Sequence, residues 1–171
     1  MKTPTCVLLL ALICLLINGC IYESKVSIDT PSIKLNPELI GSWKVKNTGD
    51  QMNPEESNGI CIITGKTEFL YDIELRYADE QKSEHYAGYI SMINNTTFLN
   101  VYDDIPKGKP AGYSFFKIEI LNKGSFKALA VTGNIRETFN SSKDLKGFIS
   151  ENMTNSFFFE LPYLFSRIET K

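Results

Sequence analysis

The sequence has few histidines and cysteines, the residues with which proteins often bind zinc or carry out nucleophilic chemistry. It holds one histidine, His85, and four cysteines, three of which lie within the first twenty positions. A lone histidine without cysteine or carboxylate partners at ligand spacing does not make a zinc site. The chain also has no Gly-x-Ser-x-Gly elbow, phosphate-binding loop or dinucleotide fingerprint. We therefore expect no catalytic residues, no metal and no cofactor.

Two clusters of charged residues remain as candidate binding features. Asp103 and Asp104 could hold a calcium ion, but no source is visible for the other oxygen ligands, so a solvated turn is the favoured interpretation. Asp72, Glu74 and Arg76 alternate along one predicted strand and would share a face. That face could be a charged binding patch, although the solvated outside of a barrel fits it better.

The chain also lacks an excess of positive charge. It has 18 lysines and arginines against 20 aspartates and glutamates, a formal net charge of −2. A nucleic-acid-binding protein normally carries a basic patch or stripe, and none is visible here. We therefore expect no nucleic-acid partner.

No hydrophobic run reaches the roughly 20 residues that a helix needs to cross a bilayer. The longest one, Cys6–Ile17, follows the positively charged start of the chain and precedes the small residue Gly19. A charged start, an apolar stretch of about 7–15 residues and a small residue before the cut are typical of a secretory signal peptide. An uncleaved N-terminal membrane segment is the alternative.

The end of this run, Ile17-Asn18-Gly19-Cys20, resembles the lipobox of bacterial lipoproteins, with Asn18 where a small or hydroxyl residue is more usual. The resemblance implies that residues 1–19 are a signal peptide. It also implies that Cys20 becomes the acylated N-terminus, whose several acyl chains would hold the protein on a membrane of the cell envelope. Ile21 follows the cysteine instead of the aspartate that often marks inner-membrane retention. The periplasmic face of the outer membrane is therefore favoured.

Loss of the signal and lipidation of Cys20 would leave Cys61 as the one free cysteine of the domain. No intramolecular disulfide can then form, so the fold must be stabilised by packing. Cys61 lies in the apolar run Gly59–Thr64. We expect a buried, unreactive thiol there instead of a redox or nucleophilic one.

Residues 20–35 show no sustained periodicity and are predicted as the lipidated N-terminus and a flexible tether. Residues 36–171 are predicted as one mainly β domain. Phe69–Tyr77 alternates between apolar and polar residues, and Asn94-Asn95 is typical of a hairpin turn. In Tyr113–Leu121 the apolar set changes phase, which predicts a bulge or bend. Lys46–Asn58, Ala78–Glu84 and Asp103–Gly112 are predicted loops.

The predicted architecture is an antiparallel barrel of seven or eight strands with one short helix in the C-terminal half. Short strands at this spacing favour a barrel or sandwich. Ser141–Asn152 is the predicted helix, with a serine of Ser141-Ser142 as its N-cap, and Leu145, Phe148 and Ile149 share one of its faces. Tyr163–Ile168 is predicted to be the last strand and to close on the first.

The start of the domain resembles the lipocalin-like, or calycin, barrels. Asn36-Pro37-Glu38-Leu39 is a predicted helical turn, and Gly41-Ser42-Trp43 follows it at the start of the first strand. In that family the tryptophan closes one end of the barrel. The resemblance therefore implies a structural role for Gly41 and Trp43. The whole domain is similar to small bacterial lipocalin-like lipoproteins without an assigned function.

Two functional hypotheses follow from the sequence. The first is a lipid-anchored module that binds a small apolar or amphipathic ligand inside the barrel, since such barrels can enclose one small molecule. The second is an envelope protein that binds or inhibits a partner through loops such as Asp103–Gly112. The sequence identifies no ligand-binding residues and does not distinguish a filled barrel from a hollow one.

Overall fold

The computed structural model describes residues 21–48, 58–77, 83–104 and 110–169. These residues form nine strands, one α-helix (α1) and a short 3-10 turn that spans Ser156–Phe158. The strands and the helix are β1 Glu23–Ser24, β2 Gly41–Asn47, β3 Asn58–Gly65, β4 Tyr71–Tyr77, β5 Ser83–Ile93, β6 Thr96–Asp103, β7 Tyr113–Asn122, β8 Ser125–Val131, α1 Ser142–Asn152 and β9 Phe159–Arg167.

Strands β2 to β9 close into an eight-stranded antiparallel barrel. Each pairs with its sequence neighbour from β2 to β9, and β9 also pairs with β2, which completes the circle. The two-residue strand β1 adds to the start of β7. The predicted fold class, a mainly β antiparallel barrel with one short helix, is thereby confirmed, and the architecture is consistent with a lipocalin-like barrel.

Local sequence explains how the strands are oriented and connected. In β4 the apolar residues Tyr71 and Ile73 are buried inside the barrel, while Arg76 on the other face is exposed. The β5–β6 hairpin turns at Asn94 and Asn95, whose φ angles of 48° and 64° lie in the left-handed region that asparagine tolerates. Both predictions, the alternating strand and the Asn-Asn turn, are confirmed.

One end of the barrel is closed by the segment that precedes β2. Asn36 Oδ1 accepts a hydrogen bond from Glu38 N at 3.0 Å, and the resulting turn places Leu39 over the barrel end. Trp43 is 1% exposed and donates from Nε1 to the Leu39 carbonyl at 2.9 Å. Its ring packs edge-on against Phe126, with the centroids 4.8 Å apart.

Arg167 and Gly41 complete this closed end. The Arg167 guanidinium lies 4.2 Å from the centroid of the Trp43 ring and donates to the carbonyls of Ile40 and Glu38 at 3.0 and 2.9 Å. Gly41 has a φ of 149°, and a Cβ on it would collide with the Arg167 guanidinium. Glycine therefore fits this position for two reasons, backbone conformation and space.

A second layer covers the outside of β5 to β8. Helix α1 begins after Ser141, whose hydroxyl accepts from Asp144 N at 3.2 Å, so a serine caps the helix as predicted. Leu145 and Ile149 of the helix are buried against the barrel wall. They share a hydrophobic cluster with the following residues of the wall, the N-terminal segment and the 3-10 turn: Tyr22, Ile28, Ile93, Phe98, Phe115, Val131 and Phe158.

Two predictions differ from the observed structure of this second layer. Residues 21–35 do not form a free tether, because Tyr22, Ser24 and Ile28 are buried against the barrel. In β7 the change of apolar phase does not mark a bulge, since the register shift lies further on, between Ile120 and Asn122. The phase changes because Phe115 faces the outer cluster while its neighbour Phe116 faces the barrel interior.

Several predicted features fall wholly or partly outside the described residues. Cys20 and the predicted signal peptide do, as do positions 49–57, 78–82 and 105–109 of the three predicted loops. In the part of the chain that the structure describes, no helix has the length and hydrophobicity to span a bilayer.

Candidate functional site

The barrel encloses a cavity of about 1010 Å³. Its floor is formed by Leu39, beneath the closed end, and its walls by inward-facing residues of all eight barrel strands. Most of these wall residues are aliphatic or aromatic, among them Ile63, Ile73, Leu99, Phe116, Ile118 and Phe165. The barrel is therefore hollow, and its interior is an apolar compartment.

Polar residues line the opposite end of the cavity, which is called the mouth below. Glu23 and Gly112 lie there beside the start of β7, together with Arg76 at the end of β4 and Asp103 at the end of β6. These strand ends lie at one end of the barrel, whereas Leu39 lies at the other. The cavity thus runs from an apolar floor to a polar mouth.

Two tyrosines at the mouth share one carboxylate. Tyr77 and Tyr86 line the cavity, and both hydroxyls donate to Glu84 Oε2, at 3.1 and 2.8 Å. Burial, together with the hydrogen bond to Glu84, raises the pKa of Tyr86 well above its ordinary value. Tyr86 therefore stays neutral and holds its ring in place at the cavity edge.

Tyr163 places a further hydroxyl-bearing ring on the wall near the mouth. It pairs with Asn47 of β2 and Ala128 of β8, and all three residues line the cavity. Burial raises the pKa of Tyr163. A neutral phenol in a mostly apolar wall can donate a hydrogen bond to a polar group of a ligand.

Cys61 also lies on the cavity wall, on β3 beside Trp43. It is 2% exposed and free, and burial raises the pKa of its thiol to about 12. A thiol with such a pKa remains protonated at neutral pH and is a poor nucleophile. The predicted burial of Cys61 is confirmed.

The structure does not bring the predicted metal candidates together. The His85 ring lies on the exposed start of β5, with Nε2 3.2 Å from Ser83 Oγ. Asp104 forms an ion pair with Lys66, the Oδ2–Nζ distance being 2.5 Å. Within the described ranges, no three His, Cys, Asp or Glu side chains are grouped as metal ligands would be.

The acidic and basic residues of β4 lie on the outside of the barrel, where Arg76 forms two hydrogen bonds with Glu74. Nε and Nη2 of Arg76 donate to the two carboxylate oxygens at 2.8 and 2.9 Å. This interaction lowers the pKa of Glu74. The Arg76 charge at the mouth is therefore already matched by a carboxylate.

A buried polar network behind the cavity wall was not predicted from the sequence. Ser91 and Asn100 are 0% exposed, and Asn100 Nδ2 donates to Ser91 Oγ at 2.7 Å. Ser91 Oγ donates to the Asp29 carboxylate, which also accepts from Lys146 Nζ of α1 at 3.1 Å. Asn100 Oδ1 accepts from the backbone N–H of Ile28 at 3.1 Å. The network joins the N-terminal segment, the barrel wall and the helix.

A smaller pocket of about 340 Å³ lies beside this network on the outer surface. It is bounded by Tyr89, Tyr102 and Tyr113, and by residues of the N-terminal segment such as Asp29 and Pro31. The rings of Tyr102 and Tyr113 pack edge to face with their centroids 5.4 Å apart. The pocket is about a third of the volume of the barrel cavity.

Comparison of the chain with known protein families, with curated proteins and with solved structures finds no match. The description of the fold as an eight-stranded antiparallel barrel with a hollow interior therefore rests on the structure of this chain alone.

Proposed function

We propose that this protein binds a small apolar or amphipathic molecule inside its barrel. The observation that supports the proposal is the cavity of about 1010 Å³ with largely apolar walls. Ligand pockets are typically about 300–1,000 Å³ and mostly hydrophobic, with a few polar groups that fix orientation. The apolar side chains that face the cavity lack packing partners on that side. A ligand in contact with them would bury apolar surface and would be stabilised by the hydrophobic effect and by dispersion.

The polarity gradient of the cavity favours a ligand with two unlike ends. An apolar part would lie near Leu39 and Ile118, and a polar part would lie at the mouth near Glu23 and Asp103. Among the described charged residues that line the mouth, Arg76 is the one cation, and it is bound to Glu74. It therefore does not neutralise the carboxylates of Glu23 and Asp103. We therefore propose a neutral or cationic polar group, since an anionic one would be repelled there.

We further propose that Cys20 carries acyl chains that hold the protein on a bacterial envelope membrane. The support is the lipobox-like run Ile17–Cys20 and the apolar stretch before it. The mass of the N-terminal peptide of protein purified from membranes tests this directly. A peptide that begins at Cys20 with the mass of attached acyl chains supports the anchor, and one that retains residues 1–19 contradicts it.

The ligand proposal is tested by titration with a neutral apolar probe, N-phenyl-1-naphthylamine, whose emission rises in an apolar site. The parent protein should bind it. Val101→Trp adds a large side chain to the cavity wall and should weaken binding at least about tenfold, because the lost space costs roughly 1.4 kcal/mol or more. Leu121→Trp introduces the same side chain on the outside, at an exposed position beside the β7–β8 turn. It should bind like the parent.

Native mass spectrometry of a Cys20→Ser variant exported to the host's periplasm identifies the natural ligand without interfering acyl chains. A bound small molecule of defined mass supports a carrier. A bare protein mass with a co-purifying polypeptide, combined with equal probe binding by Val101→Trp and Leu121→Trp, contradicts it. That result would favour the alternative of a partner bound through surface loops.

A further inference from the structure

The N-terminal end of the described chain lies at the mouth of the barrel. Ile21 lines the cavity and forms an antiparallel bridge with Thr132, just beyond the end of β8. The following residue, Tyr22, donates its N–H to the Val131 carbonyl at 3.0 Å. Ile21 is the residue that directly follows the proposed acylation site in the sequence, and consecutive Cα atoms are about 3.8 Å apart. No free tether separates the proposed acylation site from the folded domain.

An exposed aromatic residue lies next to this point. The backbone N–H of Thr132 donates to the Phe158 carbonyl at 3.0 Å, so Ile21 and Phe158 flank Thr132 on opposite sides. Two strand spacings correspond to roughly 10 Å. Phe157, the residue before Phe158, is 84% exposed, by far the largest exposure of any large hydrophobic residue described. It contributes little to the fold and is free to contact something outside it.

Two further apolar side chains are exposed at the mouth. Ile60 and Tyr77 line the cavity near the start of β3 and the end of β4, and each is 42% exposed. They lie across the mouth from Ile21, because β2 and β9 separate β3 from β8 in the barrel order. The mouth therefore has apolar groups on two sides.

We propose that the mouth of the barrel, with Phe157 near Ile21, the residue that follows the proposed acylation site, rests on the membrane surface. This proposal rests on the lipid anchor proposed above and adds an orientation to it. Phe157 would insert among the lipid headgroups and upper acyl chains, as aromatic residues do in interfacial segments. The cavity would then open toward the bilayer, so that an amphipathic ligand could exchange with the membrane without crossing water.

The closed end is the competing surface. It also exposes apolar side chains, of which Leu121 at 49% is the most exposed and Ile120 follows at 40%. However, β7 runs for ten residues between the mouth and this end, roughly 30 Å of extended chain. An acyl group fixed next to Ile21 therefore holds the mouth near the bilayer and the closed end away from it.

Charge at the mouth indicates which lipids it should contact. Glu23 and Asp103 line the mouth, and Arg76 is bound to Glu74. Carboxylates at this edge would be repelled by anionic headgroups, so zwitterionic lipid is expected to be the better surface.

The test places a tryptophan at either end of the protein. Phe157→Trp and Leu121→Trp are purified from membranes and reconstituted into phosphatidylcholine vesicles, a fraction of whose lipids carry brominated acyl chains that quench tryptophan on contact. Trp43 is 1% exposed at the closed end and gives the same background in both variants. The fractional loss of emission, after subtraction of the parent signal, should be roughly twofold or more larger for Phe157→Trp.

The mass of each reconstituted sample separates the two proposals. If the protein is acylated and both tryptophans are quenched equally, or Leu121→Trp more strongly, the orientation is wrong while the anchor stands. If the protein carries no acyl chain, the anchor is wrong and the orientation is overturned with it. Acylated protein with preferential quenching of Phe157→Trp supports both.

Discussion

The described residues form two hydrophobic clusters, one on each side of the wall formed by β5 to β8, and the clusters differ in how they are packed. The inner cluster, which includes Trp43, Ile73 and Ile118, surrounds a cavity of about 1010 Å³. The outer cluster, which includes Phe98 and Phe115, is covered by the N-terminal segment and α1. Close packing on the outer side thus compensates for the open space on the inner side. A barrel can remain hollow when one of its walls is stabilised from behind.

Neighbouring phenylalanines on β7 allow the most direct test of this comparison. Phe115 faces the outer cluster and is 0% exposed, while Phe116 faces the cavity and is only partly buried. Phe115→Ala should lower the free energy of unfolding by about 4 kcal/mol, as is usual for phenylalanine in a packed core. Phe116→Ala should cost less than half as much, because Phe116 already borders empty space. Urea unfolding followed by circular dichroism measures both.

The parent's m-value is the control, because unequal m-values would mean that the denatured states differ. Equal losses for the two variants would show that the inner cluster is as tightly packed as the outer one. Probe binding adds a second distinction: Phe116→Ala should retain it, since the substitution enlarges the cavity.

Disruption of the polar network behind the wall should have the next largest effect on the free energy of unfolding. Asp29→Ala removes the carboxylate that accepts from Ser91 and Lys146 and leaves the hydroxyl of Ser91 buried without its acceptor. The free energy of unfolding should fall by about 2 kcal/mol, the usual cost of an unsatisfied buried polar group. The N-terminal segment should also lose protection of its amide protons, for example at Ile28.

A double-mutant cycle with Ser91→Ala shows whether this loss arises from the network. The double variant should lose clearly less than the sum of the two single variants, because each single change leaves the other group without its partner. Additive losses would mean that Asp29 acts independently of Ser91.

Stability at alkaline pH reports on the inner wall. Burial raises the pKa of the Cys61 thiol to about 12 from an ordinary value of 9.0. Above pH 9 the unfolded chain releases this proton while the folded chain keeps it, so the free energy of unfolding falls as pH rises. Between pH 8 and pH 10 the loss should be about 1 kcal/mol. Above pH 10 the tyrosines of the unfolded chain also titrate, which limits the window.

Cys61→Ala isolates this contribution. The variant starts from a lower stability, yet its stability should decrease less between pH 8 and pH 10 than that of the parent. Parallel curves for the two proteins would show that the thiol does not contribute, and that water in the cavity solvates it better than its 2% exposure suggests.

The inner cluster was largely predictable from the sequence, because it is built from regular alternation. Tyr71, Ile73 and Leu75 repeat every second position, and the backbone of Asn94 and Asn95 turns as their residue type predicts. The presence of the cavity was not predictable. Whether inward side chains meet depends on barrel diameter and side-chain reach, and neither quantity is encoded in a two-residue period.

The outer cluster was missed because its covering segment has no periodicity. Ile28 and Asp29 are held by bonds to Asn100 and Ser91, which lie more than 60 positions further along the chain. One signal was present in the sequence: the apolar phase change in β7 places large residues on both faces of a single strand. It indicates a strand covered on both sides, although the phase change alone predicts a bulge or bend.

Substitution of a third phenylalanine, Phe157, should have the smallest effect on the free energy of unfolding. Phe157 is 84% exposed, in contrast to Phe115 at 0%, and it lies in a 3-10 turn capped by Asn155. Phe157→Ser should change the free energy of unfolding in solution by no more than about 0.5 kcal/mol, since little apolar area leaves the protein interior. A loss as large as that of Phe116→Ala would mean that Phe157 packs on the barrel in solution and is not free to contact a membrane. A small loss leaves a large apolar group exposed without benefit to the fold, which is the condition under which contact with lipid is favourable.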